Sequence, residues 1–250
     1  MISAGLDVGS RTIALVALNG YGPTHRVIDT GVNPLQRCRE LLSKVDYNRL
    51  IVTGYGRYLV TENIGGEVVS EIKAFAIGAR RLYPDCRTII DIGGQDSKVV
   101  MLSEDGNVSK FEMNDRCAAG TGKFLEVMAK TLEVDINGLD NLALGATRSV
   151  RINSLCTVFA DSEVVSLIAK GEDSSAIAFG LHEAISSRIV NMVKRVGSRD
   201  RVVFAGGAAL NRCLHHLLEK KLDIKVTVPS EPQIIGALGA ALLAKKNGNL

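Results

Sequence analysis

Two cysteines stand in settings suited to chemistry. Cys117 lies in the stretch Asn114-Asp115-Arg116-Cys117-Ala118-Ala119-Gly120-Thr121-Gly122-Lys123, which packs a thiol, a glycine-rich turn and a lysine into what reads as the opening of a helix. One end of such a helix could hold a metal cluster and its flank a phosphate. Thirty-nine positions on (156 minus 117), Cys156 leads into the apolar-periodic run Val158 to Lys170, closed by Gly171. Both thiols are therefore expected at helix N-termini, where free first-turn N–H groups and the helix dipole favour negative charge. That placement suits an anionic metal–thiolate site. The other cysteines, Cys38, Cys86 and Cys213, fit apolar helix faces or a strand approach and read as packing residues. The adjacent pair His215-His216 points two ways on a helix and reads as surface.

Three glycine turns follow strand-like runs: Asp7-Val8-Gly9-Ser10, Asp91-Ile92-Gly93-Gly94-Gln95-Asp96 and Ala205-Gly206-Gly207-Ala208. Glycine lets a backbone approach a phosphate or base and present N–H groups to it, and a strand-end Asp can hold Mg²⁺ directly or through water. None has the spacing of a Walker A loop or of GxGxxG, which disfavours a P-loop or Rossmann nucleotide site. Any one of them alone would read as a tight turn. The ordered set is much more specific.

The elements that must position these turns can be read in order. Residues 3–9 read as a buried strand, Thr12 to Leu18 as a second and Arg26 to Thr30 as a third. Pro34 opens a predicted helix through Val45, Arg49 to Thr53 reads as a strand, and a helix is predicted from about Val69 to Tyr83. From Arg87 the pattern restarts, with a strand into Asp91, a run Ser97 to Leu102 and a strand Val108 to Met113. Asp91 follows Asp7 by 84 positions (91 minus 7), and the same order of strands, Asp-x-Gly turn, Gly turn and helix occurs twice, which points to a duplicated architecture. Beyond it come a helix after Cys117, a polar stretch Glu133 to Arg148, a helix after Cys156 and a helix from about Ser175 to Val196. A strand Arg201 to Phe204, a helix through Lys220, a strand Ile224 to Val228 and a helix Pro232 to Lys246 complete the reading.

Composition bounds the function classes. The 250 residues suffice for one large or two medium lobes. A formal charge of +3 without a basic tract, and few aromatics, argue against nucleic acid as the partner. The apolar runs Thr12 to Leu18 and Ile234 to Ala244 fall short of a membrane span, and Met1 leads into a strand without a basic leader, so no membrane and a cytoplasmic location are expected. Five cysteines without disulfide-style clustering point to metal or redox use for some of them.

The ordered turns resemble the actin/Hsp70/sugar-kinase superfamily, an α/β fold of two ribonuclease-H-like lobes around ATP, over the whole chain. Within it, Asp91-Ile-Gly-Gly-Gln-Asp-Ser-Lys98, Asn114 to Glu126, and Cys156 before its helix are similar to the BadF/BadG/BcrA/BcrD-type ATPases, the activators of 2-hydroxyacyl-CoA dehydratases. The resemblance implies a homodimer that shares one [4Fe-4S] cluster, ligated by Cys117 and Cys156 of each subunit. ATP hydrolysis would drive a low-potential electron into a dehydratase or reductase client, with ferredoxin or flavodoxin as the source. A cubane wants four thiolates, and a two-fold axis would supply the second pair. The lobes implied are residues 1–84 and 85–231, with helix 232–246 packing back on the first.

By the same resemblance, Gly9, Ser10, Arg11 and Thr12 line the first phosphate loop and Gly93, Gly94 and Gln95 the second, while Asp7 and Asp91 hold Mg²⁺. Gln95 or Asp96 orients the attacking water. The adenosine lies against Gly206, Gly207 and Ala208, with Gly122, Lys123 and Glu126 on the facing helix and Gln233 or Gly236 near the base. The family pattern often carries a His in Glu-Ile-x-x-His-Ala, where this chain has Glu71-Ile72-Lys73-Ala74-Phe75-Ala76, a departure that bears on the client. The alternatives are a small-molecule kinase of the same fold, which needs a catalytic Asp base and no cluster, and a nucleotide-switched binding protein without redox chemistry.

Overall fold

A computed structural model describes residues 2–154, 156–198 and 201–246. Strands β1 (Ser3–Val8), β2 (Thr12–Asn19) and β3 (Gly22–Asp29) form an antiparallel meander, and β4 (Arg49–Thr53) and β5 (Glu67–Val68) add parallel strands on the other side of β1, giving the order β3-β2-β1-β4-β5. The second sheet repeats it. Strands β6 (Thr88–Ile92), β7 (Ser97–Leu102), β8 (Val108–Asn114), β9 (Val202–Ala205) and β10 (Val226–Thr227) lie in the order β8-β7-β6-β9-β10 with the same senses. The register repeats too: Asp7 sits opposite Ala14 and beside Thr53, and Asp91 opposite Lys98 and beside Ala205. The central strands β1 and β6 are covered on both faces, which is why Ile89, Ile90 and Ile92 form a near-continuous apolar run.

Helices α1 (Pro34–Leu42), α2 (Arg57–Asn63), α3 (Glu71–Leu82), α4 (Gly122–Thr131), α5 (Leu139–Leu144), α6 (Thr157–Ala169), α7 (Ser174–Val196), α8 (Arg212–Leu222) and α9 (Ile235–Lys246) complete the described chain. Proline in the first turn and Asn33 Oδ1 accepting from Gln36 N–H at 3.2 Å start α1 where expected, but it ends at Leu42 rather than Val45. Helix α2 and strand β5 occupy the segment between Thr53 and Val69, for which the sequence suggests no element. With Val60 as its one buried side chain and no side-chain cap, α2 leaves no periodic signal. The stretch Glu133 to Arg148, read as polar and irregular, contains α5, which buries Leu139 and Ala143. The last predicted helix begins as a 3₁₀ turn, Pro232–Ile234. Leu155, ahead of α6, falls outside the described residues. Among those described, no helix is long and apolar enough to cross a membrane.

Between the sheets lie α9 and α3. Helix α9 places Ala237, Leu238 and Ala241 against Ala14 and Val16 of the first sheet. Helix α3 places Phe75, Ala76 and Ala79 against Ile89, Val100 and Val203 of the second. The two helices touch backbone to backbone: a Cβ on Gly78 would collide with the Ile235 carbonyl, and one on Gly239 with the Ala74 carbonyl. Overpacking of this kind forces backbone shifts. Gly239→Ala is therefore expected to lower stability by about 3 kcal/mol or more in urea denaturation. The same change at Gly20, where a Cβ meets nothing within 4 Å, is expected to leave the midpoint in place.

Candidate functional site

The turns that follow β1 and β6 meet in a cleft of about 880 Å³ between the sheets, within the usual range for small-molecule sites. They are built alike. Gly9 N–H donates to the Thr12 carbonyl at 3.0 Å, and Gly93 N–H to the Asp96 carbonyl at 2.9 Å. They also abut, since a Cβ on Gly94 would lie 2.8 Å from Ser10 Oγ and 2.9 Å from Arg11 Cβ. Each strand-end carboxylate is wedged against a glycine from the neighbouring parallel strand's exit. A Cβ at Gly54 would crowd Asp7 Oδ1 and Val8, and one at Gly206 would collide with Asp91 Oδ1. Both glycines follow the strand that pairs parallel with the Asp-bearing one, so the duplication extends to the side chains of the site.

At the floor of the cleft stands a charge cluster. Lys98, 3% exposed, reaches Glu71 at 2.7 Å, Asp96 at 2.8 Å and Asp91 at 3.2 Å, with the Phe75 ring centroid 5.9 Å away. Arg57 lies 3.5 Å from Glu71 at the edge and donates to the Gly54 carbonyl at 2.9 Å. Asp7, Glu71, Asp91 and Asp96 thus outnumber the cations near them. Burial, reinforced by Glu71 and Asp91, pushes the Asp7 carboxyl up to about 8. Burial, partly opposed by Lys98, pushes Asp91 up to about 6. For Lys98 burial works to lower the pKa, but Asp91, Glu71 and Asp96 more than offset it and hold the ammonium charged. A buried excess of carboxylates is the setting that a divalent cation stabilises. Among the described residues, no three His, Cys, Asp or Glu side chains form a metal cage by themselves. A Mg²⁺ ion at Asp7 and Asp91 would take its remaining ligands from phosphate and water.

Most of the expected nucleotide residues converge here. Asp7 with Gly9, Ser10, Arg11 and Thr12 lines one wall, and Asp91 with Gly93, Gly94, Gln95 and Asp96 the other. Gly122 and Glu126 of α4 and the Gly206-Gly207-Ala208 turn with Gln233 close the remaining sides. Two positions fall elsewhere. Lys123 points outward, 3.4 Å from Glu126, because helical geometry carries it off the face that Gly122 and Glu126 share. Gly236 lies behind Asp7, where a Cβ would collide with Oδ2, so it makes room for the carboxylate and does not line the cleft. Glu126 also pairs with Arg11 at 2.8 Å, across the cleft. The sequence reading missed Glu71 and Phe75 on α3, Lys98, and a group at the far end that includes Asn137, Asp140, Asn141 and Arg212. Lys98 did leave a signal, a lone cation inside the otherwise apolar strand Ser97–Leu102. The far-end polar residues left none, since Asn137, Asp140 and Asn141 sit in a stretch that reads only as polar and Arg212 reads as an ordinary helix position.

The cysteines separate. Cys156 is the N-cap residue of α6, as expected, and its thiol is exposed. Among the described residues no side chain caps that helix, which leaves its first N–H groups open beside the thiol. Val158 and Phe159 stand next to it, 70% and 67% exposed. Cys117, expected at the start of α4, is instead five residues ahead of Gly122, in a loop. Gly120 at φ 88° and the Thr121 hydroxyl, which donates to the Ala118 carbonyl at 2.7 Å, turn the chain before the helix begins. The opening N–H groups of α4 are spent on the turn after β6, Gly122 donating to the Gly93 carbonyl at 2.9 Å and Lys123 to that of Gly94 at 2.8 Å. The Asn114 amide donates to the Cys117 and Ala119 carbonyls and holds that loop. Cys38, Cys86 and Cys213 are fully buried, and burial pushes their thiols up to about 11, 12 and 12. His215 Nε2 donates to the Val226 carbonyl at 2.8 Å, and His216 is exposed.

Two sheets of one strand order around a glycine-lined cleft define the actin/Hsp70/sugar-kinase fold. A ROK family glucokinase from Streptomyces griseus, 13% identical, shares it with a TM-score of 0.63 over 98% of this chain and 100% of its own. Residues 22–244 match the BadF/BadG/BcrA/BcrD ATPase family, and the chain belongs to that family. The crystal structure of component A of the (R)-2-hydroxyglutaryl-CoA dehydratase from Acidaminococcus fermentans is similar, with a TM-score of 0.91 and 38% identity over the whole of both chains. An activator of the 2-hydroxyisocaproyl-CoA dehydratase from Clostridium difficile with bound ADPNP also gives 0.91 at 38% identity, over 99% of this chain and 97% of its own.

The charge cluster sets a pH dependence. Asp7 and Asp91 hold protons in the fold well above the ordinary carboxylate pKa, so the native state binds more protons than the unfolded chain and stability falls as pH rises. The loss begins above the ordinary carboxylate range and is complete above about 8. In metal-free buffer, the melting temperature is expected to fall on going from mildly acidic to alkaline pH, and Mg²⁺ with ADP is expected to recover most of that loss on the alkaline side. A melting temperature that rises with pH over this window would contradict the burial of these carboxylates.

Proposed function

We propose that the chain is an ATP-hydrolysing activator that passes a low-potential electron to a dehydratase or reductase of the kind its relatives serve. The observation that carries this reading is Cys156, an exposed thiol at the N-cap of α6 followed by the exposed apolar side chains of Val158 and Phe159, in a chain of this family. An apolar patch around a ligand suits a surface that a second copy covers. Two copies related by a two-fold axis would bring Cys117 and Cys156 of each to one place. When bound, a [4Fe-4S] cluster would supply a one-electron carrier there. The open N–H groups of α6 would donate to its thiolates.

Asp7 and Asp91 would hold Mg²⁺, and the Gly9 and Gly93 turns would present N–H groups to the phosphates. Asp96 is committed to Lys98 at 2.8 Å, which leaves Gln95, exposed at the cleft wall, to orient the attacking water. The Gly206-Gly207-Ala208 turn and Gln233 would receive the nucleoside. Phosphoryl transfer of this type needs positioning and charge neutralisation more than a nucleophile. Ferredoxin or flavodoxin is the electron source of this reading.

Anaerobic purification is expected to give a brown dimer with about four irons per pair of chains. Cys117→Ser and Cys156→Ser are each expected to abolish the cluster and electron transfer while ATP binding persists. Retention of iron by the double variant would refute the ligand assignment. An iron-free, air-stable protein after anaerobic reconstitution would favour a small-molecule kinase instead.

A further inference from the structure

Cys156 is held by a device that its thiol chemistry does not require. On α6, Glu163 turns back toward the chain ahead of the helix. Its Oε1 accepts from Asn153 N–H at 3.0 Å and from Asn153 Nδ2 at 2.9 Å, and its Oε2 accepts from Ser154 N–H at 2.9 Å. Burial works against its ionisation, but these hydrogen bonds more than offset it and hold the carboxyl below its ordinary value. A charged acceptor that gathers backbone donors makes strong hydrogen bonds. The donors come from the second and third residues before Cys156, and the acceptor from the second turn of the helix that Cys156 caps. The segment that delivers the thiol is thereby clamped to α6. Neither Glu163 nor Asn153 lines the nucleotide cleft.

We propose that Glu163 is the positioning residue of Cys156: its carboxylate locks residues 153–154 onto α6, so that the thiol is presented to the cluster at a place fixed by the helix. The inference rests on the reading of Cys156 as a cluster ligand. Outer-shell groups that orient a ligand typically change metal retention on the order of tenfold or more when removed. A shift in the ligand's position, and the loss of a nearby negative charge, also alter the reduction potential of a cluster.

The test compares Asn153→Ala, Glu163→Gln, Glu163→Ala and Cys156→Ser, each reconstituted anaerobically as the full chain. Iron release to a chelator and the EPR spectrum of the dithionite-reduced protein are recorded. Asn153→Ala keeps both backbone donors on the carboxylate, and Glu163→Gln keeps one acceptor oxygen. Iron release is therefore expected to quicken in the order Asn153→Ala, Glu163→Gln, Glu163→Ala, reaching roughly tenfold in the last. The EPR signal is expected to change shape in the two Glu163 variants. Should Glu163→Ala fail to fold, Glu163→Gln and Asn153→Ala carry the comparison. If Cys156→Ser lacks the cluster while both Glu163 variants release iron at the wild-type rate with the wild-type spectrum, the clamp has no such role. If Cys156→Ser retains the cluster with a wild-type spectrum, the ligand reading fails, and the inference with it.

Discussion

The backbone contact between α3 and α9 is the constraint from which the site follows. One helix is bedded on the second sheet and the other on the first, and glycines at 78 and 239 let the two axes approach until only peptide groups separate them. Helix–helix distance depends on the side chains at the crossing, so glycine there brings the sheets as close as the fold allows. That closeness puts the ends of β1 and β6 on one cleft. It also lets α3, packed on the second sheet, present Glu71 to Lys98 of that sheet, and lets α9 yield space at Gly236 for Asp7. A wider crossing would move Asp7, on the first sheet, away from Lys98 and the carboxylates gathered on the second.

The duplication is broken where the charge requires it. Asp7 and Asp91 occupy matching register positions, each beside a glycine that leaves room for the carboxylate. Opposite them the repeats diverge: Ala14 faces Asp7, and Lys98 faces Asp91. One buried lysine for the whole cluster leaves Asp7 without a direct cationic partner, and burial raises its pKa further than that of Asp91. The asymmetry would favour a cation, were one bound, on the Asp7 side of the cleft. A second lysine in place of Ala14 would neutralise the same charge with protein and remove the electrostatic demand that a metal–phosphate ligand could meet.

Much of this was legible in the residues. Strand runs such as Arg49 to Thr53, and the two Asp-x-Gly turns, carry their signal locally, in apolar runs bounded by glycine. What was not legible depends on contacts between distant segments. Glu71 and Phe75 read as ordinary helix positions, and only the packing of α3 turns them into the cleft. Short elements such as α2 and α5 bury one to three residues each and leave no period to detect. The error at Cys117 has a local cause. Gly120 and Thr121 were read as the first turn of a helix, but a left-handed glycine followed by an extended threonine makes a turn that stops just short of α4.

That turn also relates the two ends of the molecule's chemistry. Helix α4 begins on the carbonyls of Gly93 and Gly94, so its position is tied to the turn after β6. Its last residue, Thr131, donates its hydroxyl to Asp161 of α6, the helix that Cys156 caps. The loop bearing Cys117 enters α4 from the other side, with Asn114 of β8 holding its shape. The Gly93-Gly94 turn, α4, the loop bearing Cys117 and α6 are therefore joined by hydrogen bonds and by the chain itself. Packed helices in such an arrangement shift as units, by small rotations and slides. Cys156, clamped to α6, would follow its helix, whereas Cys117 would follow the turn before α4. The separation of the two thiols would then depend on how α6 moves relative to the turn ahead of α4.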